Sequence, residues 1–337
     1  MKIKFRFIKT TLSILLFLFA TEFGIRYLGI YETTSEKAGN GFHSLFKVTN
    51  QGCHFTHSPN DTFLISQSEF SYPHIIDKYG FRNNSSDSES YKVLAFGDSF
   101  TEGLGSSQDS TWPALLSKKL NTPVYNAGIM GSDPFYSYRI LKDKYLPFSP
   151  QRVIILVNWS DIADVIVRGG IERFIPNNKV EYLKEPWFMP LYQYSHTFRM
   201  ILHIVFQYDY MFTSPSSRDL IISNSMERIA AILNKINLIC KERNSTLTVF
   251  IHPVPQEYYQ TLDSRLNFTR IDELLPLLKK QGVDVVNLRS GLTKSFKTPQ
   301  EWKLGSWKKD GHFNGKGYSH LASLIADSLS KRTTKVW

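Results

Sequence analysis

Cysteine is scarce in this chain: Cys53 and Cys240 are the only two among 337 residues. They lie far apart and form no Cys-x-x-Cys pair and no Cys/His ligand spacing, which excludes zinc-finger and thioredoxin-like motifs. The sequence leaves two states open for them, a disulfide in an oxidising compartment or two separate thiols. The cysteines therefore do not identify the compartment.

Metal-ligand patterns are also lacking. Four histidines precede the central part of the chain, namely His43, His54, His57 and His74. Their spacing matches no helical or hairpin set of metal ligands, so we interpret them as structural or surface residues. We predict neither a metal nor another cofactor.

Negative charge is in short supply: 30 Asp and Glu residues oppose 40 Lys and Arg residues, which gives a formal net charge of +10. Such an excess favours anionic partners, among them nucleic acid, phospholipid headgroups and acidic glycans. However, no basic cluster falls on a predicted helix, and no nucleic-acid-binding motif is present. We therefore predict no nucleic-acid partner.

Long hydrophobic runs are missing except at the N-terminus. Four cations precede the apolar run 11–20, and apolar residues continue to Ile30 with Glu22 and Arg26 between them. The uninterrupted run is short for a bilayer span, which needs about 20 residues, so a cleaved signal peptide competes with an anchor. Because no small-residue cleavage site follows the run, we predict an uncleaved signal anchor over 1–30. The preceding cations would keep its N-terminus in the cytoplasm and place the remaining chain outside.

Strand and helix patterns alternate from residue 91 onward. Apolar runs that predict buried strands lie at 91–96, 123–126, 152–157, 246–251 and 283–287, with helical patterns between them. This alternation predicts an α/β fold, a mostly parallel five-stranded sheet covered by helices on both faces. We interpret 31–90 as an irregular leader that packs on this domain, which extends over 91–330. An aromatic-rich stretch at about 165–215 interrupts the alternation and is interpreted as an inserted lid or subdomain.

A serine follows the first predicted strand, in Phe-Gly-Asp-Ser-Phe-Thr-Glu-Gly at 96–103. A serine at such a strand-to-helix turn is lifted above the sheet, beside backbone N–H groups that can bind an oxyanion. This pattern makes Ser99 a candidate nucleophile. A serine that only caps a helix is the competing interpretation.

A histidine precedes the last predicted helix, in Lys-Asp-Gly-His-Phe-Asn-Gly-Lys-Gly-Tyr at 309–318. An aspartate two residues before a histidine can orient the imidazole while its far nitrogen takes a proton from a serine. Asp310 and His312 are therefore candidate partners of Ser99, although Asp-Gly-His is also a common turn sequence.

Together these motifs resemble those of the SGNH (GDSL-like) hydrolase family, in its membrane-anchored bacterial form. Residues 77–82 are similar to a Gly-Phe-Arg segment that precedes the first strand in many anchored members, and 124–131 are similar to the family's second block. The resemblance covers roughly 77–330. It implies a three-layer αβα fold and an oxyanion donor at Gly131, with Gly128 as the alternative.

The third block departs from the family pattern. The family usually has Gly-x-Asn-Asp after the third strand, and its Asn side chain completes the oxyanion hole; here Ser160 occupies that position. We expect Ser160 to substitute, with Asn158 as the alternative donor. His252 follows the fourth strand and is a candidate substrate contact, although a histidine bonded within its own loop is the competing interpretation.

The resemblance implies ester chemistry at the bacterial cytoplasmic membrane, on its periplasmic or extracellular side. Anchored relatives often act on O-acetyl groups of surface polysaccharides, so we expect an esterase or O-acyltransferase that forms an acyl-enzyme on Ser99 with an acylated, mainly acetylated, cell-surface glycan. Two alternatives remain: a lipid-directed esterase that uses the aromatic insertion, and a non-catalytic glycan-binding assembly protein. The sequence does not decide between hydrolysis and transfer.

Overall fold

The computed structural model describes residues 2–32, 47–49, 54–84, 91–175, 179–180, 186–259 and 266–333. His43 and Cys53 lie outside these ranges, and only the backbone of His54 is described. The pairing of Cys53 therefore stays an open alternative. Cys240 is buried in the core.

The described strands are β1 (Lys47–Thr49), β2 (His54–Thr56), β3 (Thr62–Ser66), β4 (Ser71–Ile75), β5 (Val93–Phe96), β6 (Val124–Asn126), β7 (Arg152–Val157), β8 (Phe174–Ile175), β9 (Lys179–Val180), β10 (Thr246–Ile251) and β11 (Asp284–Asn287). The central sheet is parallel throughout and has the spatial order β11-β10-β7-β5-β6. The central strand β7 is almost completely buried, because helices cover both faces of a parallel sheet.

Helices connect the strands. The described α-helices are α1 (Lys2–Tyr27), α2 (Ser99–Glu102), α3 (Trp112–Leu120), α4 (Pro134–Lys142), α5 (Trp159–Arg168), α6 (Met189–Tyr194), α7 (His196–Ile204), α8 (Arg218–Glu242), α9 (Gln256–Tyr259), α10 (Leu274–Lys280), α11 (Arg289–Ser295), α12 (Pro299–Leu304) and α13 (Gly315–Thr333). Right-handed crossovers in this strand order place α3 on one face of the sheet and α4, α8 and α10 on the other. Accordingly, α3 packs against α13, while α4 and α10 pack against α8.

These elements confirm the predicted α/β fold with its five-stranded parallel sheet. The predicted strands begin or end within two residues of the observed ones. Thr111 caps α3, since its side chain accepts the N–H of Ala114. The long helix α8 packs Ile222, Ile229 and Leu233 into the core at helical spacing.

The leader contains regular strands, whereas the sequence predicts an irregular segment there. Strands β3 and β4 form an antiparallel hairpin whose buried side chains alternate with exposed ones. Phe81, farther along the leader, is completely buried in the main core. Short alternations such as Thr-Phe-Leu-Ile-Ser carry little sequence signal by themselves, and only packing against the domain gives them a fixed face.

The N-terminal helix α1 is long and apolar enough to cross a membrane over Ile8–Tyr27, which is 20 residues with a mean hydropathy of 1.6. Nearly all of that stretch is exposed on the protein surface. Length and composition agree with the predicted anchor. They establish neither the membrane nor the orientation.

Candidate active site

The chain turns sharply between β5 and α2 and begins the helix at Ser99. Gly97 has a φ of +149°, and a Cβ there would lie 2.2 Å from the hydroxyl oxygen of Thr101, so only glycine fits. Asp98 is the N-cap residue, and its Oδ1 accepts the N–H of Phe100 at 2.9 Å. The turn therefore fixes Ser99 at the carboxyl end of β5, with 9% of the residue exposed.

Ser99, His312 and Asp310 form one chain of hydrogen bonds. The Oγ of Ser99 lies 2.7 Å from Nε2 of His312, and Nδ1 of His312 lies 2.6 Å from Oδ1 of Asp310. Burial favours a neutral imidazole, but the attraction and hydrogen bond of Asp310 outweigh it, and the pKa of His312 is raised above its ordinary value. Burial likewise opposes the charge on Asp310, but His312 lowers the pKa of this carboxyl overall.

The loop that carries the histidine is held from two sides. Glu69 of the leader accepts the N–H groups of Lys309 and Asp310 at 2.7 and 2.9 Å. On the other side, Nε1 of Trp307 donates to the carbonyl of Gly105, just beyond α2, at 2.6 Å. Sequence reasoning missed Glu69 and Trp307, because neither belongs to a motif and both act across long sequence separations.

The second block follows β6 and leads to Gly131. The N–H of Gly128 donates to Oδ1 of Asn126 at 3.0 Å, so this alternative oxyanion donor is already used within its own loop. The N–H of Met130 donates to Oε2 of Glu102 at 2.5 Å. Gly131 itself has a φ of +74°, and its carbonyl accepts from the guanidinium of Arg168.

The third block does not present the side chains that the sequence predicts for the oxyanion hole. The hydroxyl of Ser160 lies 2.5 Å from Oδ2 of Asp98 and 2.6 Å from Oδ1 of Asn158. Asn158 is fully buried, caps α5 and donates its Nδ2 to Oδ2 of Asp98 at 3.0 Å. The single hydroxyl proton of Ser160 therefore has two acceptors within reach, and the Nδ2 of Asn158 donates to one of them, Asp98. Ser160 and Asn158 together brace Asp98. The expected oxyanion role of Ser160, with Asn158 as its alternative, stays a prediction, and these bonds favour the bracing role over it.

His252 is likewise not a surface group that a substrate can reach. It is completely buried, its Nδ1 lies 2.9 Å from the carbonyl of Pro253, and its ring packs edge-on against Phe100 at 4.9 Å. Its Nε2 has no hydrogen-bond partner among the described residues. Burial lowers its pKa to about 4. His252 therefore supports the residue that follows Ser99, and the prediction of a substrate contact is corrected.

Two of the leader histidines meet a glutamate from α2. Nε2 of His57 and Nε2 of His74 lie 2.7 and 2.8 Å from the same oxygen, Oε1 of Glu102, and all three side chains are buried. Burial would raise the pKa of Glu102, but the two histidines lower it well below its ordinary value. Burial lowers the pKa of His74 to about 4.

Glu102 joins three parts of the molecule: the leader hairpin, the helix after Ser99 and the loop that ends in Gly131. Two imidazoles and a carboxylate are a donor set that zinc accepts, and their ligand atoms lie within 4.8 Å of one another. Here, however, both imidazoles hydrogen-bond to the carboxylate of Glu102. In addition, buried Arg82 donates to the carbonyls of Glu102 and Gly103. The arrangement fits a hydrogen-bonded brace, which the spacing of the histidines did not reveal.

Comparison with solved structures gives matches of low identity. The psychrotrophic esterase EstA from Pseudoalteromonas sp. is 15% identical, with a TM-score of 0.40, 72% of this chain covered and 98% of that chain. The acetyl xylan esterase AlAXEase is 14% identical, with a TM-score of 0.43 and coverages of 70% and 98%. A two-domain esterase active on acetylated mannans, crystallised with mannopentaose, is 13% identical, with a TM-score of 0.43; 73% of this chain and 50% of that chain are covered.

No match was found among curated proteins. A family model, in contrast, matches residues 95–320, from the strand that precedes Ser99 to the helix that follows His312. This stretch is more than half of the chain and contains both motifs that form the Ser99–His312–Asp310 hydrogen bonds. The protein therefore belongs to the GDSL-like lipase/acylhydrolase family.

Proposed function

We propose that this protein is an extracytoplasmic serine esterase or O-acyltransferase that acts on acetyl esters of a cell-surface glycan. The observation that carries the proposal is the hydrogen-bond chain from Ser99 through His312 to Asp310. Such a chain activates a serine, because the imidazole accepts the hydroxyl proton while the carboxylate stabilises the resulting cation.

The proposed reaction has two halves. The Oγ of Ser99 attacks the ester carbonyl as its proton moves to Nε2 of His312, which gives a tetrahedral oxyanion. The intermediate then expels the alcohol, which takes the proton from Nε2, and an acyl group remains on Ser99. Water or a sugar hydroxyl attacks this acyl-enzyme, again losing its proton to His312, and Ser99 leaves with that proton. Water as the acceptor gives hydrolysis, and a sugar hydroxyl gives transfer.

The proposed oxyanion donors are the backbone N–H groups of Ser99 and Gly131. Gly128 is less suitable, because its N–H already donates to Asn126. Ser160 has a different role in this proposal: it holds Asp98, which in turn caps the helix that starts at Ser99. Backbone donors fixed by the fold need no reorganisation during the reaction, which suits oxyanion stabilisation.

One feature supports the proposed location, whereas the acetyl group is an expectation from the resemblance to anchored relatives. The apolar run 11–20 of α1 follows four cations in the same helix, which supports an anchor with the catalytic domain on the outer side of the membrane. The glycan itself is an expectation from the resemblance to anchored relatives.

A fluorophosphonate probe tests the chemistry. Full-length protein and its Ser99→Ala variant are treated in detergent, and labelling is located by peptide mass spectrometry. Labelling of Ser99 that is absent from a folded S99A sample is the expected result. Failure to label folded wild-type protein would contradict the acyl-enzyme and favour a non-catalytic protein.

A lipid-directed esterase is the second candidate, favoured by the apolar anchor and by exposed aromatic side chains in the segment 186–210. Nitrophenyl esters of increasing chain length separate the two. The glycan proposal expects kcat/KM to be highest for acetyl. An optimum at long chains would favour lipids. Acetylated oligosaccharide offered with an unacetylated acceptor then distinguishes released acetate from transferred acetyl.

A further inference from the structure

Several hydrogen bonds join the N-terminal helix α1 to the insertion. The carboxylate of Glu22 accepts from the hydroxyl of Ser195 at 2.9 Å and from the N–H groups of His196 and Thr197 at 3.0 and 2.9 Å. These groups form the N-terminus of α7, where a negative charge is favourable. Arg26 adds a bond to the carbonyl of Tyr194 at 2.8 Å.

A second contact lies farther along the same path. Nδ1 of His196 lies 2.8 Å from the carbonyl of Ile30, and the ring of Tyr31 stacks on His203 with centroids 5.9 Å apart. The chain that leaves α1 therefore stays against α7 over two of its turns. The two segments are therefore in contact both at the N-terminus of α7 and farther along it.

These hydrogen bonds set the depth of α7 relative to the proposed membrane span. The span Ile8–Tyr27 has 20 residues, which corresponds to about 30 Å of helix, the thickness of a bilayer core. Glu22 lies five residues before the end of the span, and therefore about 7.5 Å inside it. Helices that lie in the membrane interface sit about 5–10 Å deep, which is the level at which Glu22 holds α7.

The surface of the insertion has the chemistry of that environment. Between 186 and 210 the only Asp, Glu, Lys or Arg residues are Arg199 and Asp209, and both are buried. Yet this segment exposes a group of large apolar and aromatic side chains: Trp187, Leu191, Tyr194, Ile204, Val205, Phe206 and Tyr210. Outside this segment and 8–30, the large hydrophobic side chains exposed in the described part of the chain are scattered singly: Leu64, Val167, Leu220, Leu238 and Leu304.

We propose that α6 and α7 lie at the boundary between the headgroups and the acyl chains of the bilayer, so that the segment 187–206 and α1 together form one lipid-binding surface. The inference rests on the proposed membrane anchor and extends it from a single helix to a surface. The occupant is lipid, because the segment 187–206 is joined to a candidate span, exposes no carboxylate or cation of its own, and places Trp and Tyr at interfacial depth.

Tyr210, which follows the lipid-binding surface in the chain, contacts the third block beside the active site. Nε1 of Trp159 donates to the hydroxyl of Tyr210 at 2.6 Å, and Trp159 directly precedes Ser160, which binds Asp98. These contacts tie the insertion to the residue that caps the helix of Ser99.

Site-specific fluorescence in nanodiscs tests the proposal with the full-length chain. Leu191→Cys and Ile204→Cys are labelled with an environment-sensitive nitrobenzoxadiazole dye in a Cys53→Ser background; buried Cys240, whose pKa burial raises to about 11, does not compete for the dye. Leu16→Cys on α1 is the bilayer control, and the exposed Leu304→Cys on α12 is the water control. Nanodiscs contain phosphatidylcholine and phosphatidylglycerol, with or without a lipid carrying a nitroxide near the headgroup.

The expected result is that the nitroxide lipid quenches the labels at 191 and 204 about threefold more than the label at 304, while iodide quenches them less. If both labels behave like that at 304 while the label at 16 is quenched by lipid, the proposal fails and the anchor stands. If they are shielded from lipid and iodide alike, a protein partner or second copy covers the surface, which also overturns the proposal. If the label at 16 also escapes lipid quenching, the anchor fails with it.

Discussion

Acid should weaken the fold through His74, and the effect can be isolated with one substitution. His74 is completely buried, its Nε2 bonds to Glu102, and burial lowers its pKa from 6.5 to about 4. As the pH falls below 6.5, the unfolded chain binds a proton here, whereas the folded protein resists protonation until about pH 4. Acidification therefore favours the unfolded state, and stability is lost over this window.

The magnitude follows from the size of the shift. A lowering of about 2.5 pKa units corresponds to about 3 kcal/mol of folding free energy lost between pH 7 and pH 4. In a domain of this size, such a loss lowers Tm by about 6–12 °C. Burial also lowers the pKa of His252 to about 4, so this residue contributes a comparable loss of folding free energy over the same pH range.

His74→Gln removes the titration and keeps an N–H donor for Glu102. The lost Nδ1 has no hydrogen-bond partner among the described residues, so the substitution breaks no bond there. Thermal unfolding of both proteins is followed by intrinsic fluorescence in detergent from pH 7 to pH 4. We expect the wild-type Tm to fall about 6–12 °C more than that of H74Q, each relative to its own value at pH 7. Parallel curves would refute the burial argument.

Three further predictions concern the site. Ser160→Ala should lower kcat for acetyl esters less than about tenfold, because the hydroxyl binds Asp98; a loss of about 10²–10³ would restore it as an oxyanion donor. Asp310→Asn should lower kcat by about 10³–10⁴. It should also shift the acidic limb of the pH–rate profile to lower pH, since Asp310 raises the pKa of His312; an acidic limb at the wild-type pH would contradict this pairing. Glu102→Gln should cost about 3–5 kcal/mol of stability, because a buried charge with three donors is neutralised; an unchanged denaturant midpoint would show that the brace contributes nothing.

The proposed lipid-binding surface has a consequence for architecture, because Glu22 bonds α1 to the insertion. If that surface binds lipid, α1 would orient the catalytic domain relative to the membrane in addition to holding it there. A substrate presented at the bilayer surface would then meet Ser99 without a search through bulk solvent.

The sequence by itself determined the α/β fold and the two motifs of the site. Buried parallel strands such as β7 are continuous apolar runs, and the helices between them have their own caps and periodicity, so each element is encoded locally. Ser99 and His312 could also be found, because each lies in a short motif at the end of a strand or the start of a helix. Their meeting over 213 residues follows from the parallel topology, which brings the carboxyl ends of all strands to one edge.

Only the tertiary structure decided what surrounds that pair. The brace of Glu102 with two leader histidines, the use of Ser160 to hold Asp98, and the burial of His252 all depend on contacts between segments far apart in sequence. A hydroxyl or imidazole has several possible partners, and its residue type alone does not select among them. Packing selects the partner, because a buried polar group must bond to whatever the fold places beside it.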